Sequence, residues 1–389
     1  MKARYLYPAL RVFLYIGLAL LLADQAPAEF PSEIRVGFVG PLSGGAAAFG
    51  TGGERGVRYA VEKLNSSGGI AGSQIRLISY DDQANPQQSV QAVLRLIQTD
   101  KVHLVIGGMT SSTSIAMAAI TQKYQIPQIS PIAGAPILTQ KKNPFIFRNA
   151  ANSDVLGSAL ARYAVRELGM KTFALMTQND DWGISNTEAF VREVKKLGTT
   201  VVTRETHLPK DTAFQGQLLK IKPLNPDGLV VTGFYTESAL IAKQARELGI
   251  TATILGNNTL SAPPYREIAG PASEGSIFFS NYHAEAPNAT QAMKDFIVEW
   301  KEKFGKEPDV YESHGYDSMM ILAEALKSAN SVEAEKVAEA LRGIKDYPGV
   351  SGTTTFLPNG DVEKPVVIIK IENGQLKPLA VLEGKKDSE

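Results

Sequence analysis

The sequence predicts an α/β protein built from two doubly wound lobes, each on a parallel sheet. Strand and helix patterns alternate along the chain, which is typical of parallel sheets. The alternation starts again near Asn149, which indicates two similar lobes. Glycine-rich turns follow several strands, and open α/β sheets bind ligands at the carboxyl ends of their strands. The sequence therefore predicts a ligand cleft between the lobes.

The first 28 residues are predicted to be a cleaved signal peptide. Lys2, Arg4 and Arg11 form a basic start, and residues 12–22 form an apolar run that is too short to span a bilayer. Residues 26–28, Ala-Pro-Ala, supply a small-residue cleavage site. An uncleaved anchor is the alternative. Cleavage would leave the mature protein free in a periplasm.

Composition excludes several classes of function. The chain has no cysteine, so thiol catalysis, disulfides and a lipid-attachment cysteine are excluded. Its formal net charge is zero, which predicts neither nucleic acid nor a membrane surface as partner. We expect a monomer that needs no cofactor and no metal.

The first half of the chain begins with a strand, a glycine-rich turn, a helix and a second strand that ends at Asp81 and Asp82. A helix over residues 86–100 follows. Its apolar residues recur at i, i+3, i+4 and i+7, namely Val90, Val93, Leu94 and Ile97. Short strands are predicted at residues 102–106, 127–130 and 145–148.

The second half repeats the alternation and then changes character. Strands are predicted at residues 171–177, 229–232 and 253–255, and an amphipathic helix at 288–304. Two further helices are predicted around residues 316–328 and 332–341. The chain closes with strands at 350–356 and 366–371, and Asn373-Gly374 predicts a hairpin turn.

Residues suited to catalysis do not form a known constellation. Four histidines are present, none in an HExxH motif, and the chain has neither a phosphate loop nor a GxSxG elbow. Asp81 and Asp82 form an acid pair, but adjacent carboxylates at a strand end more often cap loops. A secreted α/β enzyme is therefore the weakest of the functions considered.

Two loops of the first lobe and two of the second predict binding. A hydroxyl run, Ser111, Ser112 and Thr113, opens a helix, where free N–H groups attract anions. The backbone of residues 130–136, which include Ile132 and Ala133, follows the next strand. Strand ends of the second lobe carry aromatic residues in the segments 179–183 and 233–237.

Six motifs together carry a resemblance to a known family. GPLSGGAAAFG, NSSGGIAG, YDDQANP, IGGMTSSTS, ISPIAGAPILT and NDDWG resemble, in order and spacing, the branched-chain amino acid binding proteins of ABC importers. That leucine-type, type I periplasmic binding family implies two lobes joined by three hinge crossings that close like a Venus flytrap. The resemblance implies a first lobe of residues 29–151 with 282–349, and a second of 152–281 with 350–389.

The resemblance also implies roles for individual residues. The family serine that holds the ligand carboxylate falls on Ser111, with Thr113 expected to help, and a backbone contact falls on Ile132. Three tyrosines of the leucine-type cleft fall on aromatic residues that have no hydroxyl, namely Phe49, Trp182 and Phe234.

Two positions depart from the family pattern. A threonine that touches both ends of the amino acid falls on Gly134, and the acid that neutralises its ammonium falls on Asn258. Asp181 or Glu237 would have to replace that acid, since a buried ammonium without a carboxylate is costly. The residues expected to hold the ligand carboxylate thus match the family pattern, whereas those expected to contact its amino group do not.

The sequence as a whole predicts an exported solute-binding protein that delivers a small carboxylate-bearing ligand to an ABC permease. The ligand is a branched-chain or other amino acid, or an aromatic or apolar acid or amide. The alternative is a ligand-sensing module for a chemoreceptor or regulator.

Overall fold

The computed structural model describes residues 30–384. The predicted signal peptide lies outside these residues. Among the described residues, no helix combines the length and the apolar character that crossing a membrane requires.

The first lobe is built on a five-stranded parallel sheet. Its strands are β1 (Glu33–Gly40), β2 (Gln74–Asp81), β3 (Leu104–Gly107), β4 (Gln128–Ser130) and β5 (Ile146–Arg148). They lie in the order β2-β1-β3-β4-β5. The helices between them are α1 (Ala47–Ser66), α2 (Pro86–Gln98), α3 (Ser111–Lys123) and the short α4 (Ile137–Gln140).

The second lobe continues the alternation. Its helices are α5 (Ser153–Arg166), α6 (Asp181–Lys196), α7 (Gln215–Ile221), α8 (Tyr235–Glu247) and α9 (Pro263–Ala269), with 3-10 turns at Lys222–Leu224, Asn258–Ser261 and Gly270–Ser273. Its strands so far are β6 (Thr172–Gln178), β7 (Thr200–His207), β8 (Gly228–Thr232), β9 (Thr253–Gly256) and β10 (Ile277–Ser280).

Residues 291–382 contribute helices and strands to both lobes. They form α10 (Gln291–Phe304), α11 (Val310–Ala329), α12 (Ala334–Gly343), β11 (Tyr347–Gly349), β12 (Gly352–Phe356), β13 (Val362–Glu363), β14 (Val366–Glu372) and β15 (Gln375–Leu382). The second sheet has the order β15-β14-β10-β9-β8-β6-β7, with β14 and β15 antiparallel to their neighbours. The hairpin predicted at Asn373-Gly374 is confirmed, since Glu372 pairs with Gln375.

Helices α10 to α12 return to the first lobe, where α11 packs against α1. A Cβ at Gly56 would lie 2.1 Å from the carbonyl oxygen of Glu312, and one at Gly315 would lie 2.1 Å from that of Gly53. The two helices therefore meet backbone to backbone. This contact explains why glycines are needed at residue 56 of α1 and at residue 315 of α11.

Helix α11 begins six residues earlier than its predicted core around residues 316–328. Asp309 caps it, and Asp309 and Glu312 form a reciprocal capping box. The apolar pattern that located the helix does not extend into this polar first turn. The difference matters because Tyr311, in that turn, reaches the cleft described below.

The chain passes between the lobes three times, and hydrogen bonds join the crossings. Near the first, Asn149 Oδ1 accepts from Lys364 Nζ of the third at 2.8 Å. Asn281, at the second crossing, donates to the Pro365 carbonyl of the third at 3.0 Å.

The small antiparallel sheet β11-β12-β13 contacts the first lobe, whereas the predicted boundary at residue 350 assigns most of it to the second. Phe356 meets Phe147 edge to face at 5.7 Å between ring centroids. The Arg148 amide donates to the Gly360 carbonyl at 3.1 Å. We therefore propose that the third crossing lies at Lys364 and Pro365.

Candidate ligand cleft

A small cavity lies between the lobes, where strands of both sheets end. It is lined by Phe49, Met109, Thr110, Ser111, Ile132, Ala133, Trp182, Phe234, Asn258, Thr259 and Tyr311. Its volume is about 20 Å³, which accommodates about one water molecule. The lobes are in contact, so a ligand of ordinary size requires the two walls to separate.

The first-lobe wall is formed by the start of α3 and by the loop after β4. Thr110 caps α3, and its side chain and that of Thr113 form a capping box. Ser111 is buried and its Oγ accepts the Ala135 amide at 3.0 Å. Because Oγ acts as the acceptor there, the Ser111 hydroxyl proton is left to donate into the cavity. The amide at this first helical position has no acceptor within the helix.

The second-lobe wall is aromatic. Asp180 caps α6 by accepting the Gly183 amide at 2.7 Å, which fixes Trp182 in the first turn. Burial raises the pKa of the Asp180 carboxyl. Trp182 and Phe234 are stacked, with ring centroids 6.2 Å apart. Phe234 is held by its amide, which donates to Gln178 Oε1 at 3.2 Å.

Phe49 joins the two walls. Its ring centroid lies 5.4 Å from those of Phe234 and Tyr235, both edge to face, and 4.9 Å from that of Tyr311. Phe49 is only 3% exposed. The closed arrangement is therefore stabilised by aromatic contacts between the lobes as well as by burial of apolar surface.

Tyr311 supplies a phenol that the sequence analysis missed. Its side chain is fully buried, and its hydroxyl has no hydrogen-bond partner among the described residues. Burial raises the pKa of this phenol well above its ordinary value, so it stays protonated. The capping box at Asp309 and Glu312 was the signal that would have extended α11 to this residue. Met109, Thr110 and Thr259 were also missed.

Three predicted residues lie beside the cavity rather than on its surface. Ser112 donates to Asp181 Oδ2 of the other lobe at 3.4 Å, so it contributes to closure. The hydroxyl of Thr113, which is predicted to assist Ser111, bonds Thr110 in the α3 capping box. Gly134 packs behind Trp182, and a Cβ there would lie 3.1 Å from two atoms of the indole.

The packing at Gly134 links two departures from the family pattern. A threonine at this position would place its branched side chain in the space that the Trp182 ring occupies. The absence of a side chain at Gly134 therefore leaves room for the large ring of Trp182. A Cβ at residue 134 would also lie 3.1 Å from Ser153 Oγ, so the space around this position is limited on two sides.

No charged side chain lines the cavity among residues 30–384. Asn258 is on its surface, as predicted, but neither acid that was considered as a substitute reaches it. Asp181 faces Ser112, and Glu237 Oε1 accepts the Lys210 amide at 2.5 Å. The cleft thus offers hydroxyl and amide groups on an otherwise apolar surface, with no carboxylate to neutralise an ammonium.

Comparison with known proteins identifies the family. A family model described as periplasmic binding protein matches residues 33–375. The chain belongs to the periplasmic binding protein family. As a periplasmic binding protein it has two α/β lobes around a cleft, the fold that the sequence predicted, and that prediction is confirmed.

Relatives place this periplasmic binding protein among the leucine-type members. Leu/Ile/Val-binding protein BraC3 of Rhizobium johnstonii is 28% identical over 346 residues, covering 88% of this chain and 93% of its own. The structure of a leucine-binding protein, LivK, from Thermotoga maritima is 32% identical, with a TM-score of 0.86 and coverage of 90% and 99%.

A second solved structure carries a ligand. The substrate-binding protein LivJ of Streptococcus pneumoniae, in complex with isoleucine, is 28% identical, with a TM-score of 0.85 and coverage of 90% and 99%. All three are binding proteins. The chain is accordingly a substrate-binding protein of the ABC transport class and not an enzyme.

Proposed function

We propose that this protein binds a small apolar or aromatic carboxylate in the periplasm and delivers it to an ABC importer. The observation that carries the proposal is the absence of any charged side chain from the cleft within the described residues. An α-amino acid would bury its ammonium there without a carboxylate partner, at a cost of several kcal/mol (order of magnitude).

The carboxylate end would lie against the start of α3. Ser111 has a proton to donate, and the N-terminal amides of a helix favour an anion. No basic side chain is needed there, since hydroxyl and backbone donors can carry an anion in a buried site. The apolar part of the ligand would lie between Trp182, Phe234 and Phe49, whose rings provide a large contact area.

The other end of the ligand would meet neutral polar groups. Tyr311 has an unpartnered hydroxyl, and the Asn258 amide lies on the cavity surface. Both can donate to a carbonyl or hydroxyl oxygen, and Asn258 can also accept. Rotation about the three crossings would open the cleft to the ligand, and closure would bury it.

A branched-chain amino acid is the second candidate, because the relatives described above are leucine-type binding proteins. Two matched ligand pairs separate the candidates. Phenylalanine differs from 3-phenylpropanoate, and leucine from 4-methylpentanoate, by the α-amino group alone.

The experiment measures the melting temperature and the dissociation constant of the mature protein with each of these four compounds. We expect the member without the amino group to bind more tightly in both pairs. Tighter binding of leucine and phenylalanine would overturn the proposed ligand class. Deletion of the gene in its host should then abolish uptake of the compound that binds best; unchanged uptake would contradict delivery to an importer.

A further inference from the structure

Arg148, at the end of β5, is a fully buried arginine directly behind the cleft. Its guanidinium donates to the carbonyls of Ala133 and Ala135, each at 2.9 Å, and to Thr139 Oγ1 at 2.9 Å. Its counter-ion is Asp361, with Nε and Oδ1 3.1 Å apart. An arginine with these contacts holds a loop in place from behind.

The loop that Arg148 holds is the one that forms part of the first-lobe wall. Residues 131–136 join β4 to α4 and include the cavity residues Ile132 and Ala133. The same loop presents the Ala135 amide to Ser111 Oγ. A shift of this loop would therefore alter the orientation of the hydroxyl that faces the ligand.

Asp361 connects this arrangement to the hinge. Its Oδ2 accepts from Asn152 Nδ2 at 2.7 Å, and Asn152 caps α5 at the first crossing. The next residue, Ser153, returns to the loop: its amide and Oγ donate to the Gly134 carbonyl at 2.8 and 3.0 Å. Polar contacts thus connect the 131–136 loop to the first crossing by two routes. One runs through Arg148 and Asp361 to Asn152, and the other runs directly from Ser153 to the Gly134 carbonyl.

We infer that Arg148 and Asp361 are positioning residues that couple the 131–136 loop to the first hinge crossing, so that loop position and lobe rotation change together. The role given to the loop as a ligand wall rests on the proposed function, whereas the coupling does not. An ion pair is not required merely to fill this volume, because apolar side chains commonly replace buried pairs without loss of stability.

The test breaks the hinge contact while keeping the helix cap. In Asn152→Ser the shorter side chain still caps α5 but cannot reach Asp361. Asn85→Ser is the matched control: Asn85 is equally half-buried and caps α2 through the same type of bond, away from the hinge. Hydrogen exchange is measured by mass spectrometry on the mature, ligand-free protein.

We expect the amides of residues 131–139 to exchange about 3- to 10-fold faster in Asn152→Ser than in Asn85→Ser, with the rest of the first lobe alike in the two variants. Equal exchange of this segment in the two variants would overturn the inference. So would an increase spread evenly over the lobe, which is the signature of a general loss of stability.

A rescue variant separates positioning from simple structural support. The double change Asn152→Asp with Asp361→Asn exchanges donor and acceptor between residues 152 and 361, leaves the net charge of the two residues unchanged and retains a good helix cap. It should restore the protection of residues 131–139, and failure to do so would contradict the coupling. Since no ligand is present, a failure here is distinct from a failure of the proposed ligand class, which the four-compound experiment detects.

Discussion

The two walls of the cleft differ in how they are made. The part of the first-lobe wall formed by the start of α3 and the loop after β4 presents hydroxyl side chains and backbone that are fixed from behind, as Ser111 is by Ala135. The second-lobe wall is dominated by two stacked rings, Trp182 and Phe234, beside Asn258 and Thr259, and Phe234 also meets Phe49 edge to face. The first wall is suited to one polar group in one position, whereas the second provides apolar area.

The two walls also differ in how far they depart from the leucine-type pattern that the sequence resembles. The residues that depart from the leucine-type pattern, apart from Gly134, lie on the aromatic wall or face it. Gly134 also lies next to that wall, since a Cβ at this residue would be 3.1 Å from two atoms of the Trp182 indole. At the start of α3, Ser111 keeps the serine of the pattern that the sequence resembles. The predictions below probe the two walls separately.

The largest effect is expected on the aromatic wall. Trp182→Ala should weaken binding of 3-phenylpropanoate by about 2–4 kcal/mol, because a buried aromatic anchor carries much of the contact energy. Trp182→Phe keeps a ring at this position and should cost much less. Isothermal calorimetry measures both, and equal affinities of the two variants would show that the ring is not an anchor.

Gly134→Thr tests whether the two walls are matched in shape. The new side chain would meet the Trp182 indole, and overpacking of this kind destabilises by about 1–3 kcal/mol. Adding Trp182→Tyr should recover part of the loss in urea unfolding. Gly216→Thr is the control, since a Cβ at Gly216 meets nothing within 4 Å. Additive losses in the double variant would refute the match.

Ser111→Ala tests the polar wall alone. Loss of the hydroxyl should weaken a carboxylate ligand by about 1–3 kcal/mol, as for a hydrogen bond to a charged group. Ser112→Ala removes a neighbouring hydroxyl that faces Asp181 instead of the cavity, and it should cost under about 1 kcal/mol. Equal losses of affinity in the two variants would count against Ser111 as the carboxylate ligand.

A buried acid of the first lobe, Asp82, should make the stability of the protein depend on pH. Burial raises the pKa of Asp82 from 3.8 to about 7. The folded state therefore holds this proton more tightly than the unfolded state, and the free energy of unfolding falls as pH rises from about 4 to about 7. Between pH about 6 and about 8 we expect this group to contribute a fall on the order of 1–2 kcal/mol.

Asp82→Asn should remove that part of the pH dependence, since the amide oxygen can still accept the Ala84 amide. Asp227→Asn in the second lobe serves as control. Backbone hydrogen bonds from Lys171 and Thr172 lower the pKa of Asp227, so its contribution is already complete above pH about 4. Urea unfolding at both pH values measures the slopes, and an unchanged slope in Asp82→Asn would contradict the assignment.

The smallest effect concerns the phenol between the walls. Tyr311→Phe removes a buried hydroxyl without a partner and should raise the stability of the ligand-free protein by about 1 kcal/mol. Tyr265→Phe should lower stability by a similar amount, because its hydroxyl bonds Ser276 at 3.0 Å. A lower melting temperature in both variants would show that Tyr311 has a partner in solution.

Much of this molecule could be predicted from local patterns. Alternating strands and helices indicated the two lobes, and the hairpin at Asn373 and Gly374 was correct because turn chemistry acts within a few residues. Ser111, Trp182 and Phe234 were placed at strand ends, and a parallel sheet gathers its strand ends at one edge. These inferences needed only the chain near each residue.

The sequence by itself thus determined the fold and the family, and it named most of the residues that line the cavity between the lobes. Only the tertiary structure decided that Glu237 faces Lys210 and that Tyr311 enters the cleft from a helix far along the chain. The physical reason is the range of the interactions. Periodicity and capping act over a few residues, whereas contacts such as Gly134 with Trp182 or Arg148 with Asp361 exist only when distant segments are packed together.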